Sequence, residues 1–503
     1  MDIQKNSKEL YAEFRDQMAK IADVKNAIAV LSWDQETYLP GKGAGFRGQQ
    51  ITTLSTLAHE MFSDDKLGNK LQELLSRDDL DNVQKKNVEL SWEDYSKNKL
   101  YPASFVAELS QVTSESYHAW IKARKDASYA VFQPLLEKMI SLKKQECDIL
   151  GFEGHPYNAL INEYEKGMTT TTLDQIFDEV KSSLSPFLQK IASHEKPNNN
   201  FLKTTYGKDA QWQYGLKLLK DMGFDFEAGR QDLSEHPFTT SFNPRDVRVT
   251  TRVDEQDFNN MTWSCIHEGG HALYEQGLPV EQYGLPCGEA ASLGVHESQS
   301  RLWENNVGRG ISYWKHYYPG LQELFPGNLS GVPLEEFYRA INLVEPSLLR
   351  TEADEITYHF HVMIRYEIEK GLIDGSISAK DLNHTWNEYY KNFLQVTVPN
   401  DTLGVLQDIH WSHGSFGYFP TYSLGSFYAA QFYQAISRQI KDLEERIANG
   451  DFATLLQWLR QNIHVHGRFY TSNELCEKIT GEPLNFSHFM KYAEGKYGEI
   501  YRG

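Results

Sequence analysis

His267-Glu268-Gly269-Gly270-His271 is the stretch that decides how this chain folds around its chemistry, because it sets two imidazoles one helical turn apart. On an α-helix, residues i and i+4 lie about 40° apart around the axis and about 6 Å apart along it. Two histidines so spaced can hold one Zn²⁺ from the same helix face. Glu268 lies about 100° around the helix from His267, where a carboxylate is suited to take a proton from water. The motif therefore predicts two metal ligands and a general base.

The flanking residues predict that the motif lies inside a helix. Asp254 or Asp257 can cap its start, and Gly277 can end it. Gly269 and Gly270 each cost about 1 kcal/mol relative to alanine in a helix interior. We therefore expect a substrate or a neighbouring backbone to approach closely at these two glycines.

A catalytic zinc site needs a third protein ligand and leaves a fourth position open. Glu297 is a candidate, because it follows a Gly- and Pro-containing loop and stands near the start of a second predicted helix. Glu275, Glu289 and His296 are alternatives that spacing alone leaves open.

Other short motifs are spread along the chain in a definite order. They are WDQETYLP at 33–40, HPFT at 236–239, DVRVTTR at 246–252, HESQSR at 296–301, EADE at 352–355 and QDIHWS at 407–412. Together with residues 267–271, they resemble the carboxypeptidase Taq family of zinc metallocarboxypeptidases. One departure is Thr351, which stands where the family pattern has an apolar residue.

The resemblance implies an all-α, mostly helical gluzincin-like fold with a deep active-site groove and a small β-hairpin or sheet beside the zinc helix. The sequence itself also predicts the hairpin, because residues 238–242 and 247–253 alternate around Asn243-Pro244-Arg245. In related peptidases an edge strand here pairs with the substrate backbone. We expect one catalytic domain over residues 1–503, with an N-terminal helical part at roughly 1–230, a zinc-site part at roughly 231–430 and C-terminal helices at 431–503.

The resemblance also implies which side chains act on a peptide. It makes His267, His271 and Glu297 the ligands of one zinc ion per subunit, which Co²⁺ or another divalent ion can replace, and Glu268 the general base. Oxyanion charge needs further hydrogen-bond donors. The segment 410–422 offers them, with His410 and Tyr422 favoured and Tyr418 close behind.

A carboxypeptidase must also recognise a free C-terminal carboxylate, and the planar fork of arginine suits that task. Arg350 is the predicted residue, with Arg248 and Arg252 as alternatives. His236 and Arg248 are further predicted substrate contacts.

Three acidic residues are predicted to orient the groups around the metal rather than to bind it, since ligating histidines usually donate to a carboxylate. They are Asp354, Glu355 and Glu304.

Composition limits the surroundings in which the chain acts. The formal net charge of −19 disfavours nucleic acid and anionic membranes as partners. Residues 1–5 begin no signal peptide, and no apolar run is long enough to span a bilayer. The four cysteines lie far apart in sequence and are interpreted as free thiols, which predicts a cytoplasmic protein.

The sequence thus predicts a metallocarboxypeptidase that removes C-terminal amino acids from peptides by attack of metal-activated water. A peptidyl-dipeptidase or endopeptidase on the same site is the main alternative, and a peptide-binding protein without catalysis is less favoured. An aminopeptidase is disfavoured because no GxMxN motif precedes the zinc helix. The resemblance further implies a homodimer.

Overall fold

The protein is described here by a computed structural model covering residues 6–502. Residues 1–5, to which the prediction about a signal peptide applies, lie outside the described residues. The chain is mostly helical with one small sheet, which confirms the predicted fold class.

Twenty-one α-helices follow one another along residues 6–502. They are α1 (Ser7–Thr37), α2 (Ala44–Phe62), α3 (Asp65–Leu75), α4 (Asn82–Leu100), α5 (Ala103–Asp126), α6 (Gln133–Leu150), α7 (Tyr157–Ile161), α8 (Thr170–Ala192), α9 (Lys208–Met222), α10 (Phe258–Glu275), α11 (Leu293–Arg301), α12 (Ile311–Leu324), α13 (Pro326–Leu329), α14 (Leu334–Ile341), α15 (Tyr358–Asp374), α16 (Leu382–Leu394), α17 (Pro420–Gln439), α18 (Leu443–Ala448), α19 (Ala453–Asn462), α20 (Ser472–Thr480) and α21 (Ser487–Ile500).

The chain forms two compact units, each assembled from three separate segments. The first unit comprises Met1–Lys99, Asn198–Ile341 and Phe432–Pro483, within the described residues. Its N-terminal core is built on the apolar stripe of α1, where residues such as Leu10, Phe14 and Ile21 pack with leucines of α3. This stripe recurs at helical spacing in the sequence, so local periodicity decides which face of α1 is buried.

A three-stranded sheet in the first unit consists of β1 (Gly229–Leu233), β2 (Thr239–Asn243) and β3 (Asp246–Thr251). β2 and β3 form an antiparallel hairpin, as the sequence predicts. β1 pairs in parallel with β3, so the strand order is β1-β3-β2 and β2 lies at an edge. α10 packs against β2 and β3, and also against α9 and α11. The predicted small sheet therefore lies directly beside the zinc-motif helix.

The second unit comprises Leu100–Pro197, Asn342–Gln431 and Leu484–Gly503, within the described residues. Its central helix is α15, which buries nearly all of its residues. Two of them, Arg365 and Glu369, are charged side chains with no solvent exposure. Buried charges are costly unless they are paired, so both side chains need hydrogen-bond or ion-pair partners within this unit. The expectation of a single catalytic domain stays a prediction.

Candidate active site

The helix α10 presents the histidine motif from the first unit. Its N-cap is Asp257, whose carboxylate accepts a hydrogen bond from the backbone N–H of Asn259 at 2.9 Å. Asp257 is one of the two caps that the sequence predicts. Apolar residues of α10 are buried, whereas His267 and His271 keep partial exposure along one face. The i, i+4 spacing therefore orients both imidazoles to the same side, as predicted.

The side chains of His267, His271 and Glu297 converge at one point. Nε2 of His267 lies 3.8 Å from Oε2 of Glu297, and Nε2 of His271 lies 3.4 Å from the same oxygen. One ligand atom from each of the three residues lies within 4.8 Å of the others. Two imidazole nitrogens and a carboxylate oxygen are a donor set that zinc uses when its fourth position stays open to reactants.

The outward-facing nitrogens of both histidines have partners. Nδ1 of His267 lies 2.9 Å from Glu304, and Nδ1 of His271 lies 2.6 Å from Nδ1 of His296, whose Nε2 lies 2.8 Å from Glu275. Since an ionised carboxylate only accepts, neutral His267 must donate to Glu304, and neutral His296 must donate to Glu275. His296 then accepts from Nδ1–H of His271. Both Nε2 atoms keep their lone pairs, so these residues fit a divalent metal ion.

Glu297 is held in its ionised form with one oxygen directed at the histidines. Nε of Arg301 donates to Oε1 at 2.6 Å, and the Ser300 hydroxyl lies 3.3 Å from Oε2. Burial alone would raise the pKa of Glu297, but Arg301 and the two histidines hold it well below its usual range. The arginine thus occupies Oε1 and leaves Oε2 for the ligand position.

Glu304 lies on a π-helical segment, Leu302–Gly308, that directly follows α11. Such segments are rare and often occur at functional sites. Nη1 of Arg301 and Nη2 of Arg309 each lie 3.3 Å from its carboxylate. Burial opposes ionisation, but Arg301, His267 and Arg309 lower the pKa of Glu304 to about 2. Glu304 therefore acts as a fixed acceptor that orients His267, the role that the sequence suggests for it.

Gly270 explains how Glu297 comes so near α10. A Cβ added at Gly270 would lie 2.6 Å from Cα of Ser300 and 2.7 Å from the backbone oxygen of Gln299. At Gly269 the added Cβ would instead meet the side chain of Leu219, at 2.8 Å. The first glycine of the pair makes room for a flexible side chain, whereas the second lets the backbone of α11 contact α10.

Glu268 is buried on α10 and touches the edge strand. Oγ1 of Thr239, on β2, lies 2.6 Å from Oε2 of Glu268 and 3.0 Å from its backbone oxygen. A hydroxyl has one hydrogen, and the shorter contact directs it to the carboxylate. The carboxylate of Glu268 is therefore oriented by a hydroxyl of the sheet, and Glu268 is not one of the three residues with metal-ligand spacing.

The alternative third ligands have other partners. His296 and Glu275 form the pair behind His271 described above, and Glu289 lies 3.4 Å from Arg468. Among the described residues, the group with metal-ligand spacing is the one that contains Glu297. The geometry therefore favours Glu297 as the third metal ligand over His296, Glu275 and Glu289.

The residues predicted to contact substrate in the first unit lie on or beside the sheet. His236 is exposed in the segment just before β2. Arg248 lies on β3, pairs with Asp246 through two 3.0 Å contacts, and has its guanidinium 4.4 Å from the ring centre of Trp33. Arg252, the second alternative for carboxylate recognition, is exposed beyond the end of β3. Their roles remain predictions.

In the second unit, His410, Tyr418 and Tyr422 form one aromatic cluster. Nε2 of His410 lies 3.1 Å from the hydroxyl of Tyr422, and the rings of Tyr418 and Tyr422 are 5.1 Å apart. Burial, aided by the charge of Arg350, lowers the pKa of His410 to about 3 despite the nearby Asp408. The imidazole is therefore neutral at physiological pH and can donate one hydrogen bond.

Arg350 lies at the edge of this cluster and is buried, at 7% exposure. Its guanidinium is 4.6 Å from the ring centre of Tyr422, and its Nε donates to Asp408 at 3.0 Å. Asp408 also accepts from Nε of Arg365 at 2.8 Å. Burial would raise the pKa of Asp408, but the two arginines hold it well below its usual range. Arg350 is thus a rigidly held cation, and binding of a carboxylate by it remains a prediction.

Asp354 and Glu355 have their hydrogen bonds elsewhere. Asp354 accepts from the backbone N–H groups of Glu345 and Thr357 and so shapes its own turn. Glu355 accepts from Nζ of Lys496 at 2.9 Å and thereby ties α21 to this segment. These partners give both residues a structural role in the second unit. They do not orient groups around the metal, in contrast to the prediction from the sequence.

Three residues of the site were missed by sequence reasoning. Thr239, Arg301 and Asp408 all stand inside the motifs quoted above, but each acts on a side chain from another element or another turn. Their position in those motifs could have marked them as functional, but it did not indicate which side chain each one contacts.

The geometry in the first unit defines a metallopeptidase: two helix-borne histidines, a glutamate from the next helix and a further glutamate beside them. The family model for the carboxypeptidase Taq (M32) metallopeptidases matches residues 13–497. The chain belongs to this family, which confirms the predicted metallocarboxypeptidase class.

Related proteins align with this chain over nearly its full length. Thermostable carboxypeptidase 1 of Thermus thermophilus is 40% identical, over 97% of this chain and 98% of the relative. Carboxypeptidase 1 of Bacillus subtilis is 38% identical, with the same shares covered. Among solved structures, one described as "The Structure of CHT" is 68% identical with a TM-score of 0.96, covering 98% of this chain and 100% of that one. The M32 carboxypeptidase of Deinococcus radiodurans R1 is 40% identical, also with a TM-score of 0.96, covering 98% and 99%.

None of the helices within residues 6–502 combines the length and apolar character needed to cross a membrane.

Proposed function

We propose that this chain uses one zinc ion per subunit, held by His267, His271 and Glu297, to remove amino acids from the C-terminus of peptides. The observation that carries the proposal is the convergence of two Nε2 atoms on Oε2 of Glu297, with hydrogen bonds that direct both lone pairs inward. The donor set suits zinc, and Co²⁺ or another divalent ion is compatible with it.

A divalent ion in this position supplies a Lewis acid that polarises the scissile carbonyl and lowers the pKa of water. Glu268 accepts the proton of the attacking water and passes it to the leaving amine. Thr239 fixes the carboxylate for this task through its 2.6 Å hydrogen bond. Glu304 and His296 keep the ligand imidazoles in the required tautomer.

The remaining roles are assigned from the resemblance of the motifs. His410 and Tyr422, with Tyr418, donate hydrogen bonds to the developing oxyanion, and the neutral state of His410 supports a donor role for it. Arg350 binds the terminal carboxylate of the substrate, a role supported by its fixed guanidinium. His236 and Arg248 make further substrate contacts.

Assembly and location complete the proposal. The protein acts as a homodimer in the cytoplasm, as the family resemblance and its thiols suggest. All four cysteines are free and buried, which is compatible with a reducing compartment.

The direct test is product analysis on one peptide with a blocked N-terminus, by mass spectrometry over time. Release of single residues from the C-terminus is expected, and removal of metal by a chelator should abolish it. Release of a dipeptide would instead indicate a peptidyl-dipeptidase, and internal fragments an endopeptidase. Absence of any product with the metal-loaded protein would contradict catalysis altogether.

A further inference from the structure

The segment that carries His410 and Tyr418 is not a regular helix. Residues His410–His413 form a 3₁₀ turn, and a further turn leads into α17 at Pro420. Gly417 has a φ of 94°, and a Cβ there would lie 2.6 Å from the carbonyl group of Leu160. We call residues 409–419 the donor loop. Its positive φ and close contacts mean that its shape is imposed by neighbouring groups.

The carboxylate of Glu369 is one such neighbour, and it holds the donor loop at two places. Its Oε1 accepts from Nε1 of Trp411 at 2.8 Å, and its Oε2 accepts from the backbone N–H of Gly417 at 2.9 Å. These donors immediately follow His410 and immediately precede Tyr418. One carboxylate therefore spans the loop between the two side chains that it presents.

Glu369 is itself firmly placed. It lies on the central helix α15 with no solvent exposure, and Oε2 also accepts from the hydroxyl of Tyr157, on α7. Burial raises the pKa of Glu369 to about 7, whereas the donors of Gly417, Tyr157 and Trp411 act to lower it. The carboxylate is thus held by three donors, of which Trp411 and Gly417 belong to the donor loop and Tyr157 does not.

We infer that Glu369 is a positioning residue for catalysis, which sets the donor loop so that His410 and Tyr418 point as the reaction requires. The inference rests on the proposed function, because it assumes that these side chains donate to the substrate during the reaction. Glu369 touches neither substrate nor metal in this role. It acts through Trp411 and Gly417.

Glu369→Gln tests the inference with almost no change in side-chain volume. The amide replaces one acceptor oxygen with an NH₂ group, so either Nε1–H of Trp411 or the backbone N–H of Gly417 faces another donor. Since deletion of an oxyanion donor costs about 10²- to 10³-fold in kcat, its displacement should lower kcat about tenfold or more. Metal content should stay close to wild type, because the metal ligands lie in the other unit. KM should change less than kcat, because the substrate contacts proposed at Arg350, His236 and Arg248 lie outside the donor loop.

Two further variants separate positioning from general stability. Trp411→Phe removes one loop bond and keeps a ring, so it should also lower kcat, and its effect should be less than additive with that of Glu369→Gln. Tyr157→Phe removes a bond to the same carboxylate that does not involve the loop. It should lower Tm while leaving kcat within about twofold of wild type. All rates are measured well below the lowest Tm of the set.

Three results would overturn the inference. The first is wild-type kcat for Glu369→Gln when His410→Ala has lost activity, which would leave the proposed function intact. The second is an equal loss of kcat in Tyr157→Phe and Glu369→Gln, which would indicate disturbed packing of the unit. The third is full activity of both His410→Ala and Tyr418→Phe, in which case the donor role proposed for the loop fails first.

Discussion

Gly270→Ala is the most discriminating perturbation of this protein, because helix propensity and tertiary packing predict opposite outcomes. Alanine is favoured over glycine by about 1 kcal/mol in a helix interior. At Gly270, however, the new Cβ would lie 2.6 Å from Cα of Ser300, and Cβ atoms in proteins essentially never lie closer than 3.0 Å to such an atom. The obstructing atoms are backbone, so α11 must move away from α10 by at least about 0.4 Å.

Overpacking of this kind costs about 1–3 kcal/mol, so the gain in propensity is cancelled or outweighed. The larger effect should fall on metal binding, since Glu297 lies on the displaced helix. Changes in the shell around a metal typically weaken binding by about 10- to 100-fold, and we expect Gly270→Ala to fall in this range. Metal affinity can be measured by competition with a chelator of known strength, and the Tm of the metal-free protein reports the packing cost.

Gly269→Ala is the matched control on the same helix. Its Cβ would meet the ends of the Leu219 and Met222 side chains, which can rotate away. This variant should bind metal like the wild type, with a Tm that is unchanged or slightly raised. The argument is refuted if Gly270→Ala keeps wild-type metal affinity, or if Gly269→Ala loses as much.

Three further predictions concern chemistry, recognition and assembly. Glu268→Gln should retain metal and lower kcat by about 10²-fold or more, whereas Glu297→Ala should lose metal, as measured by metal analysis and initial rates. Full metal and activity in Glu297→Ala would mean that His296 or Glu289 is the third ligand. Arg350→Met should lower kcat/KM about 10- to 150-fold for a peptide with a free C-terminus but hardly at all for its amide. An equal loss on both would make Arg350 structural and Arg248 or Arg252 the candidate for carboxylate binding. Sedimentation velocity at micromolar concentration should show a dimer, and a sole 57.9 kDa species would contradict it.

The parts of the site that the sequence predicted are those set by local geometry. The spacing of His267 and His271 orients both imidazoles on any α-helix, and the cap at Asp257 is a contact between near neighbours. The β2–β3 hairpin is similarly local, since strand alternation and the Asn243-Pro244-Arg245 turn lie within a few residues of each other. Such features need no knowledge of the remainder of the chain.

Contacts between distant segments were decided by the tertiary structure. From the sequence, Glu297 and the alternative third ligands were equally suitable acidic or imidazole side chains. The packing of α11 on α10 at Gly270 brings Glu297 to the two histidines and so distinguishes it from the others. β1 pairs with β3 in parallel, and no short turn joins the two strands, so the sequence contains no turn motif that predicts this pairing. The pairing of Arg350 with Asp408 likewise involves residues far apart in the chain.

The sequence by itself determined the class of chemistry, because a helix of fixed pitch converts the spacing in residues 267–271 into a fixed arrangement of ligands and base. The tertiary structure decided which carboxylate completes the cluster, which partners set the histidine tautomers, and how Glu369 holds the donor loop. The physical reason is that hydrogen bonds and close packing depend on positions to within a few tenths of an ångström. For residues far apart in sequence, that precision arises only when whole helices pack against one another.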